Sequence, residues 1–137
     1  MSRAAIVDTG PLVAFFDRAE RHHDWAAGRM RELATPLLVC EPVLAEAMYL
    51  LAGLPKAQDA LFELIENGAL RIAFRVEEQV SDLRALHRKY RGRPMSLADA
   101  CIVRMAELFD RHEVLTLDSD FSIYRKHGRE PIVLIRP

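Results

Sequence analysis

The sequence has 137 residues, 50% of them apolar and 28% charged, which predicts a single domain over residues 1–137 with a core of its own. The formal net charge is −1, so the overall charge does not indicate a nucleic-acid-binding protein. Binding of nucleic acid through a local basic patch is still compatible with this charge. The absence of a signal-peptide core or a long apolar run predicts a soluble, cytoplasmic protein with no membrane contact.

Apolar runs alternate with helical patterns along the chain. The predicted strands are Ala4–Asp8, Pro36–Val39, Val114–Leu117 and Ile132–Ile135, and Leu70–Phe74 is either a further strand or an extended connector. The predicted helices run from the Thr9–Pro11 turn to Asp17, over His22–Leu33, from Pro42 to Gly53, and over Pro55–Asn67, Glu77–Tyr90 and Ser96–Phe109. This order predicts an α/β protein with three α/β/α layers and a central, mainly parallel sheet of four to five strands.

Four acidic residues stand where the local pattern is apolar. Asp8 and Asp118 end apolar runs, whereas Glu46 and Asp99 fall on the apolar stripes of predicted helices. Buried carboxylates are costly unless they are paired or bind a metal, and ligands of parallel sheets bind at the carboxyl ends of the strands. The four acids are therefore predicted to share Mg²⁺ or Mn²⁺ in one crevice, which indicates phosphate chemistry.

Each acid also has a purely structural interpretation. Asp8 and Asp118 fit turns, and Asp99 follows Ser96 at the spacing of a capping box. Glu46 has the weakest such alternative, because its neighbours at helical spacing are all apolar. Those neighbours are Pro42, Val43, Tyr49 and Leu50.

One dense basic run, Arg88-Lys89-Tyr90-Arg91-Gly92-Arg93, precedes the Asp99 helix. Arg88, Lys89, Arg91 and Arg93 either contact phosphates at the mouth of the site or form a solvated helix end, and the sequence does not separate the two.

The remaining candidate residues are given structural roles. Cys40 and Cys101 lack paired-ligand spacing and are predicted to be buried free thiols. His87, His112 and His127 show no metal-ligand spacing, and Tyr49, Phe15 and Phe16 are assigned to the core.

Four segments together resemble the successive motifs of the PIN domain family. They are Ile6–Leu12, Pro42–Glu46, Leu97–Ala100 and Leu115–Phe121, and in order and spacing they are most similar to small members that include the VapC-type toxins. The resemblance implies a metal-dependent ribonuclease with an α/β/α fold whose catalytic acids are Asp8, Glu46, Asp99 and Asp118. It also implies that the hydroxyls of Thr9 and Thr116 support the acids and that Asp120 is either an extra ligand or a turn residue.

The expected mechanism is hydrolysis of RNA phosphodiester bonds. Asp8, Asp99 and Asp118 are expected to hold the metal, while Glu46 positions or deprotonates the attacking water. The expected partners are RNA, a small antitoxin protein and a second copy in a homodimer.

Three alternatives remain: a housekeeping nuclease, a non-catalytic module that binds nucleic acid or a partner, and an aspartyl phosphatase. The phosphatase would need an acid two residues after Asp8, where this chain has Gly10.

Overall fold

A parallel sheet of five short strands organises the computed structural model, which describes residues 3–137. The strands of the chain are β1 (Ala5–Val7), β2 (Leu37–Val39), β3 (Leu70–Ile72), β4 (Glu113–Leu115), β5 (Arg125–Lys126), β6 (Glu130–Pro131) and β7 (Leu134–Ile135). The sheet has the order β3-β2-β1-β4-β7 with parallel pairs throughout, and β5 and β6 form a separate antiparallel hairpin. All residues of β1 and β2 are buried, as continuous apolar strands covered on both faces require.

Helices flank this sheet. They are α1 (Thr9–Phe16), α2 (His23–Glu32), α3 (Glu41–Leu50), α4 (Pro55–Glu66), α5 (Val80–Lys89) and α6 (Leu97–Leu108), with 3-10 turns at Val76–Gln79 and Ser119–Ser122. Helix α6 is the most deeply packed, since seven of its side chains are buried. The predicted three-layer α/β/α fold with a parallel central sheet is confirmed.

Most predicted elements have ends shifted by one to three residues, and three features differ by more than such a shift. The segment predicted as one helix, Glu77–Tyr90, is divided at Gln79, whose φ of −118° and ψ of 15° are not helical. The undecided segment forms strand β3 at the sheet edge, where only Leu70 is buried, and this explains its weak sequence signal. The β5–β6 hairpin was not predicted, because strands of two residues show no alternation; its turn contains His127 and Gly128, both at positive φ.

The strand order reverses between β1 and β4, which is where the acids converge. The chain passes from β1 to β2 and β3 on one side of the sheet, and β4 and β7 extend the other side. Asp8 directly follows β1, and its N–H donates to the carbonyl of Leu115 in β4 at 3.0 Å. Such a reversal opens a crevice at the carboxyl ends of the strands, so Asp8 and Asp118 meet at its mouth.

The predicted core is mostly correct, with one clear error. Cys40 and Cys101 are buried free thiols, and Phe15 and Phe16 pack against the core. Tyr49 was assigned to the core, but 79% of it is exposed, so that assignment was wrong. In the described part of the chain, no helix is both long enough and apolar enough to cross a membrane.

Candidate active site

Asp8 is the most enclosed of the four acids. It ends β1 and begins α1 as the N-cap residue, with only 7% of its surface exposed. Its Oδ1 accepts the Thr9 N–H at 2.8 Å, and its Oδ2 accepts the Thr116 hydroxyl at 2.7 Å. Both carboxylate oxygens are therefore held in place by neighbours that also stabilise the negative charge.

The two threonines support the acids in different ways. Thr116 is fully buried, and its hydroxyl donates to Asp8 while accepting the Asp118 N–H at 2.9 Å, so one side chain links two acids. Thr9 contributes only its backbone N–H to Asp8. The family resemblance implied that the Thr9 hydroxyl supports the acids. That hydroxyl is buried, but it has no hydrogen-bond partner within residues 3–137.

Asp118 starts the 3-10 turn after β4 and is partly buried. Its Oδ1 accepts the N–H of Asp120 at 2.8 Å, which fixes the carboxylate above the end of the strand. The same bond places Asp120 as a turn residue whose backbone supports Asp118. The carboxylate of Asp120 does not line the cavity described below.

Asp99 both caps helix α6 and lines the acidic cavity, as its two interpretations predicted. Ser96 caps α6 by accepting the Asp99 N–H at 3.0 Å, and Asp99 Oδ2 accepts the Ser96 N–H at 3.1 Å, which completes a capping box. The capping box engages only Oδ2 of the carboxylate. Asp99 also lines the acidic cavity, so its structural role leaves Oδ1 available to a ligand.

The structure corrects the interpretation of Glu46. The sequence placed it on a buried stripe, but Glu46 is exposed, and so are its helical neighbours Tyr49 and Leu50 at 79% and 55%. Helix α3 fully buries only Val43 and Ala47, while Leu44 and Met48 pack against the core in a partly buried state. Glu46 nevertheless reaches the same cavity as the three aspartates from the solvent side.

All four acids line one open cavity of about 270 Å³, together with Thr9, Gly10 and Leu117. Gly10 permits the close approach of α1 to the β4 side, because a Cβ at this position would meet Leu117 Cβ at 3.3 Å. No three acids of the cavity present ligand atoms that all lie within 4.8 Å of one another, in the part of the chain that the structure describes. The ligand atoms of these acids are therefore more widely spaced than 4.8 Å in any group of three, around an open cavity.

Burial and, to a smaller extent, mutual repulsion raise the proton affinity of Asp8 and Asp99. Burial raises the pKa of Asp8 to about 6 against hydrogen bonds from Thr116 and Thr9, and the charges of Asp99 and Asp118 raise it further. Burial is also the main cause that raises the pKa of Asp99, and the charges of Asp118 and Glu46 add to it. Ionising this site is costly, so it favours a bound cation.

The donor set fits a hard divalent cation. All the side-chain groups at the cavity that can ligate a metal are oxygens, the ligands that Mg²⁺ and Mn²⁺ prefer. Within residues 3–137, no Lys or Arg forms an ion pair with any of the four acids. The negative charge of the cavity is therefore left for an external cation to neutralise.

The predicted basic run ends α5 and forms the turn that leads to α6. Lys89 is already engaged, since its Nζ donates to the Gly128 carbonyl at 2.7 Å and lies 5.4 Å from the centre of the Tyr90 ring. Arg88, Arg91 and Arg93 are exposed, and among the described residues no side-chain hydrogen bond or ion pair occupies them. Three of the four predicted basic side chains thus remain available to an anion.

A second group of possible ligand atoms lies outside this cavity. Asp110, His127 and Glu130 present ligand atoms within 4.8 Å of one another, and all three residues are exposed. Sequence spacing could not reveal this group, because Asp110 follows α6 whereas His127 and Glu130 belong to the β5–β6 hairpin. Only the folded hairpin brings the His127 ring close to Asp110. Lys126 Nζ donates to Asp110 Oδ1 at 2.9 Å, so an internal cation already neutralises part of this group.

Comparison with known proteins agrees with this geometry. A model of the PIN domain matches residues 5–126. The chain belongs to the PIN domain family. Ribonuclease VapC26 of Mycobacterium tuberculosis (strain ATCC 25618 / H37Rv) is 32% identical over 127 residues, which cover 90% of this chain and 93% of that relative.

A solved structure confirms the PIN fold. The crystal structure of Mycobacterium tuberculosis VapC20, described as a sarcin-ricin loop cleaving toxin, superposes with a TM-score of 0.78. The match covers 88% of this chain and 94% of that chain at 17% sequence identity, so it supports the architecture alone. The predicted family and fold are confirmed, and the name of the curated PIN relative agrees with the predicted ribonuclease activity.

Proposed function

We propose that this PIN protein is a divalent-metal-dependent endoribonuclease, the toxin of a toxin–antitoxin pair, acting in the cytoplasm. The observation that carries the proposal is the convergence of four carboxylates on one cavity at the strand-order reversal, where no Lys or Arg of residues 3–137 pairs with them. The similarity to Ribonuclease VapC26 over 90% of the chain supports the same activity and the toxin role.

The three aspartates are proposed to hold Mg²⁺ or Mn²⁺. The Thr116 hydroxyl holds the Asp8 carboxylate, the Asp120 N–H holds the Asp118 carboxylate, and the capping box holds the Asp99 carboxylate. When bound, the cation neutralises the acids, lowers the pKa of water and offsets charge on the phosphodiester.

Glu46 is proposed to position the attacking water and to take its proton. It is the one acid of the four that is exposed, so its carboxylate is open to a water that enters from solvent. Its position on α3 places it across the cavity from the strand-end aspartates.

A cleavage assay tests this function directly. We expect the wild-type protein to cleave RNA with Mg²⁺ or Mn²⁺ and to stop in EDTA, while Asp8→Asn, Asp99→Asn and Asp118→Asn each lose most activity. Their losses should be non-additive, because the three side chains act through one metal site. The matched control is Asp59→Asn, an exposed acid on α4 outside the cavity. Cleavage that persists in EDTA would reject the metal mechanism.

The aspartyl-phosphatase alternative is disfavoured by the geometry. Such an enzyme needs an acid two residues after the first Asp, and that position holds Gly10. A side chain there would press against Leu117, whose Cβ and Cδ1 would lie 3.3 Å from the added Cβ. A non-catalytic binding module would not need four convergent acids, and cleavage by the wild-type protein would exclude it.

We further propose that two copies associate through the face where α5 meets the start of α6. A groove of about 550 Å³ has an apolar floor that includes Val80 and Leu97 and a rim that includes Arg84. An adjoining groove of about 750 Å³ shares Leu97 and carries Glu41 and Glu77. A two-fold axis can set the basic rim of one copy against the acidic rim of the other, as an isologous interface requires.

The oligomeric state tests this surface. Val80 is 51% exposed, so Val80→Asp should leave the fold intact and convert a homodimer into a monomer. Sedimentation of both proteins at equal concentration measures the change. A monomeric wild-type protein, or an undisturbed dimer in Val80→Asp, would contradict the proposed interface. An antitoxin is tested separately, by whether a candidate small protein binds this chain and stops its cleavage of RNA.

A further inference from the structure

Tyr49 is an exposed aromatic residue whose ring the fold does not use. It is 79% exposed, and within residues 3–137 its ring joins neither the hydrophobic core nor any aromatic pair. Single exposed apolar side chains are common on soluble proteins, so exposure alone gives Tyr49 no role. What distinguishes Tyr49 from Phe62, which is 53% exposed on α4, is its position on the helix that carries Glu46.

Tyr49 and Glu46 share the outward face of α3. They lie three residues apart in this helix, a spacing that puts their Cβ atoms about 5–6 Å apart on neighbouring turns. Helical side chains lean toward the N-terminus, so the ring of Tyr49 covers the preceding turn, which carries the exposed residues Ala45 and Glu46. Because Glu46 lines the acidic cavity, the ring lies one helical turn outside the proposed cleavage site.

The surface beyond Tyr49 carries two unpaired cations. Helix α3 ends one residue after Tyr49, and the turn that leads to α4 lines a cavity of about 460 Å³ together with the end of α1. Arg18 and Lys56 line this cavity, both are exposed, and among the described residues neither forms an ion pair. Asp17 also lines it, but its Oδ1 already accepts the Ala19 N–H at 3.0 Å.

Acids, an aromatic ring and cations therefore follow one another along α3, and this order matches a single strand of RNA. A ribonuclease has to bind the nucleotides that flank the scissile phosphate as well as the phosphate itself. Proteins bind such strands with cations that contact the phosphates and aromatic side chains that stack on the bases. Tyr49 and the cations at the end of α3 supply both kinds of contact next to the cavity that Glu46 lines.

We propose that Tyr49 is a stacking platform for one RNA base next to the scissile phosphate, and that Arg18 and Lys56 contact the phosphates that follow on this side. The inference rests on the proposed ribonuclease function and adds a base-binding subsite to it. Every base has an aromatic face, so this subsite selects unpaired RNA and not a particular base. A base inside a duplex is stacked on its neighbours and cannot reach the ring.

The binding test uses single-stranded RNA and the Asp8→Asn protein, which is not expected to cleave it. Tyr49→Ala should weaken binding by about 5- to 150-fold, the factor that corresponds to about 1–3 kcal/mol for a stacked base. Tyr49→Phe keeps the ring and should bind like the parent protein. The matched control is Phe62→Ala, which removes an exposed aromatic ring from α4 and should not affect binding.

Salt dependence and kinetics separate stacking from other roles. Tyr49→Ala removes no charge, so the slope of log affinity against log salt should not change, whereas Arg18→Gln and Lys56→Gln should each flatten it by roughly 0.7. In the protein with an intact Asp8 and Mg²⁺, Tyr49→Ala should raise KM by the same factor as it weakens binding, with kcat nearly unchanged. Its melting temperature and oligomeric state should match wild type, since the side chain is exposed.

The outcomes distinguish this subsite from the proposed function. Unchanged RNA binding in Tyr49→Ala, or equal losses in Tyr49→Ala and Tyr49→Phe, would overturn the stacking role while cleavage by wild type still supports the ribonuclease. A change of oligomeric state in Tyr49→Ala would show that a second copy covers the ring, which also overturns the proposal. A wild-type protein that never cleaves RNA, but whose binding falls in Tyr49→Ala and not in Phe62→Ala, would reject the ribonuclease and retain the subsite. Absence of any RNA binding by the Asp8→Asn protein would reject the subsite.

Discussion

Replacing Asp8 with Asn should stabilise the metal-free protein at neutral pH, although it damages the proposed metal site. Asp8 has a pKa of about 6 in the folded protein, against its ordinary value of 3.8, and burial is the largest cause. Each pKa unit corresponds to about 1.4 kcal/mol, so the ionised side chain lowers folding stability by roughly 3 kcal/mol. An Asn at this position resembles a permanently protonated Asp, with one oxygen acceptor and one donor group.

The pH dependence gives this prediction its sign. Between about pH 4 and pH 6 the folded protein holds a proton on Asp8 that the unfolded chain has released. The native state then binds more protons than the unfolded chain. Protonation of Asp8 therefore stabilises the native state fully below about pH 4, and this contribution to the free energy of unfolding is lost as the pH rises through about 6. Asp8→Asn should match wild type near pH 4 and exceed it by roughly 3 kcal/mol at pH 8.

Urea unfolding in EDTA at a series of pH values measures this difference. Each pH compares Asp8→Asn with wild type, so the titration of the other groups cancels to first order. Asp59→Asn, which changes an exposed acid, should stay within about 0.5 kcal/mol of wild type throughout. A gap for Asp8→Asn that does not grow between pH 4 and pH 8, or a variant less stable than wild type at pH 8, would refute the reasoning.

Two further predictions concern metal and RNA. Millimolar Mg²⁺ or Mn²⁺ should raise the melting temperature of wild type, because the ion binds only the folded state. Asp118→Asn should lose most of this response. A wild-type melting temperature that neither ion changes would contradict the shared metal site. Changing Arg88, Arg91 and Arg93 to Gln should flatten the dependence of log RNA affinity on log salt by roughly 0.7–0.9 per lost contact. An unchanged salt slope would assign these arginines to a solvated helix end.

The sequence predicted the strand-end acids because their positions follow from the topology. An apolar run that ends in Asp marks the end of a buried strand, and all parallel strands end at one edge. Asp8 and Asp118 therefore had to lie near each other once β1 and β4 were neighbours. Ser96 and Asp99 were equally predictable, since a capping box is a local pattern of four residues.

Long-range packing explains what the sequence could not predict. The pattern around Glu46 does not distinguish a buried stripe from apolar residues on an outer face, and the exposed Tyr49 and Leu50 show that the latter holds here. The grouping of Asp110, His127 and Glu130 depends on the β5–β6 hairpin, which no periodicity reveals. These sites became visible only when the fold brought distant segments together.

The acids of the cavity differ most in their access to water, and this difference divides the proposed chemistry among them. Asp8 is buried and bonded through both oxygens, which suits a fixed ligand whose charge a cation must balance. Glu46 is exposed and approaches from another helix, which suits proton exchange with an attacking water. Because burial and mutual repulsion make the negative charge of the metal-free site costly, and a bound cation neutralises that charge, the low stability predicted for ionised Asp8 and the predicted metal response have one physical origin.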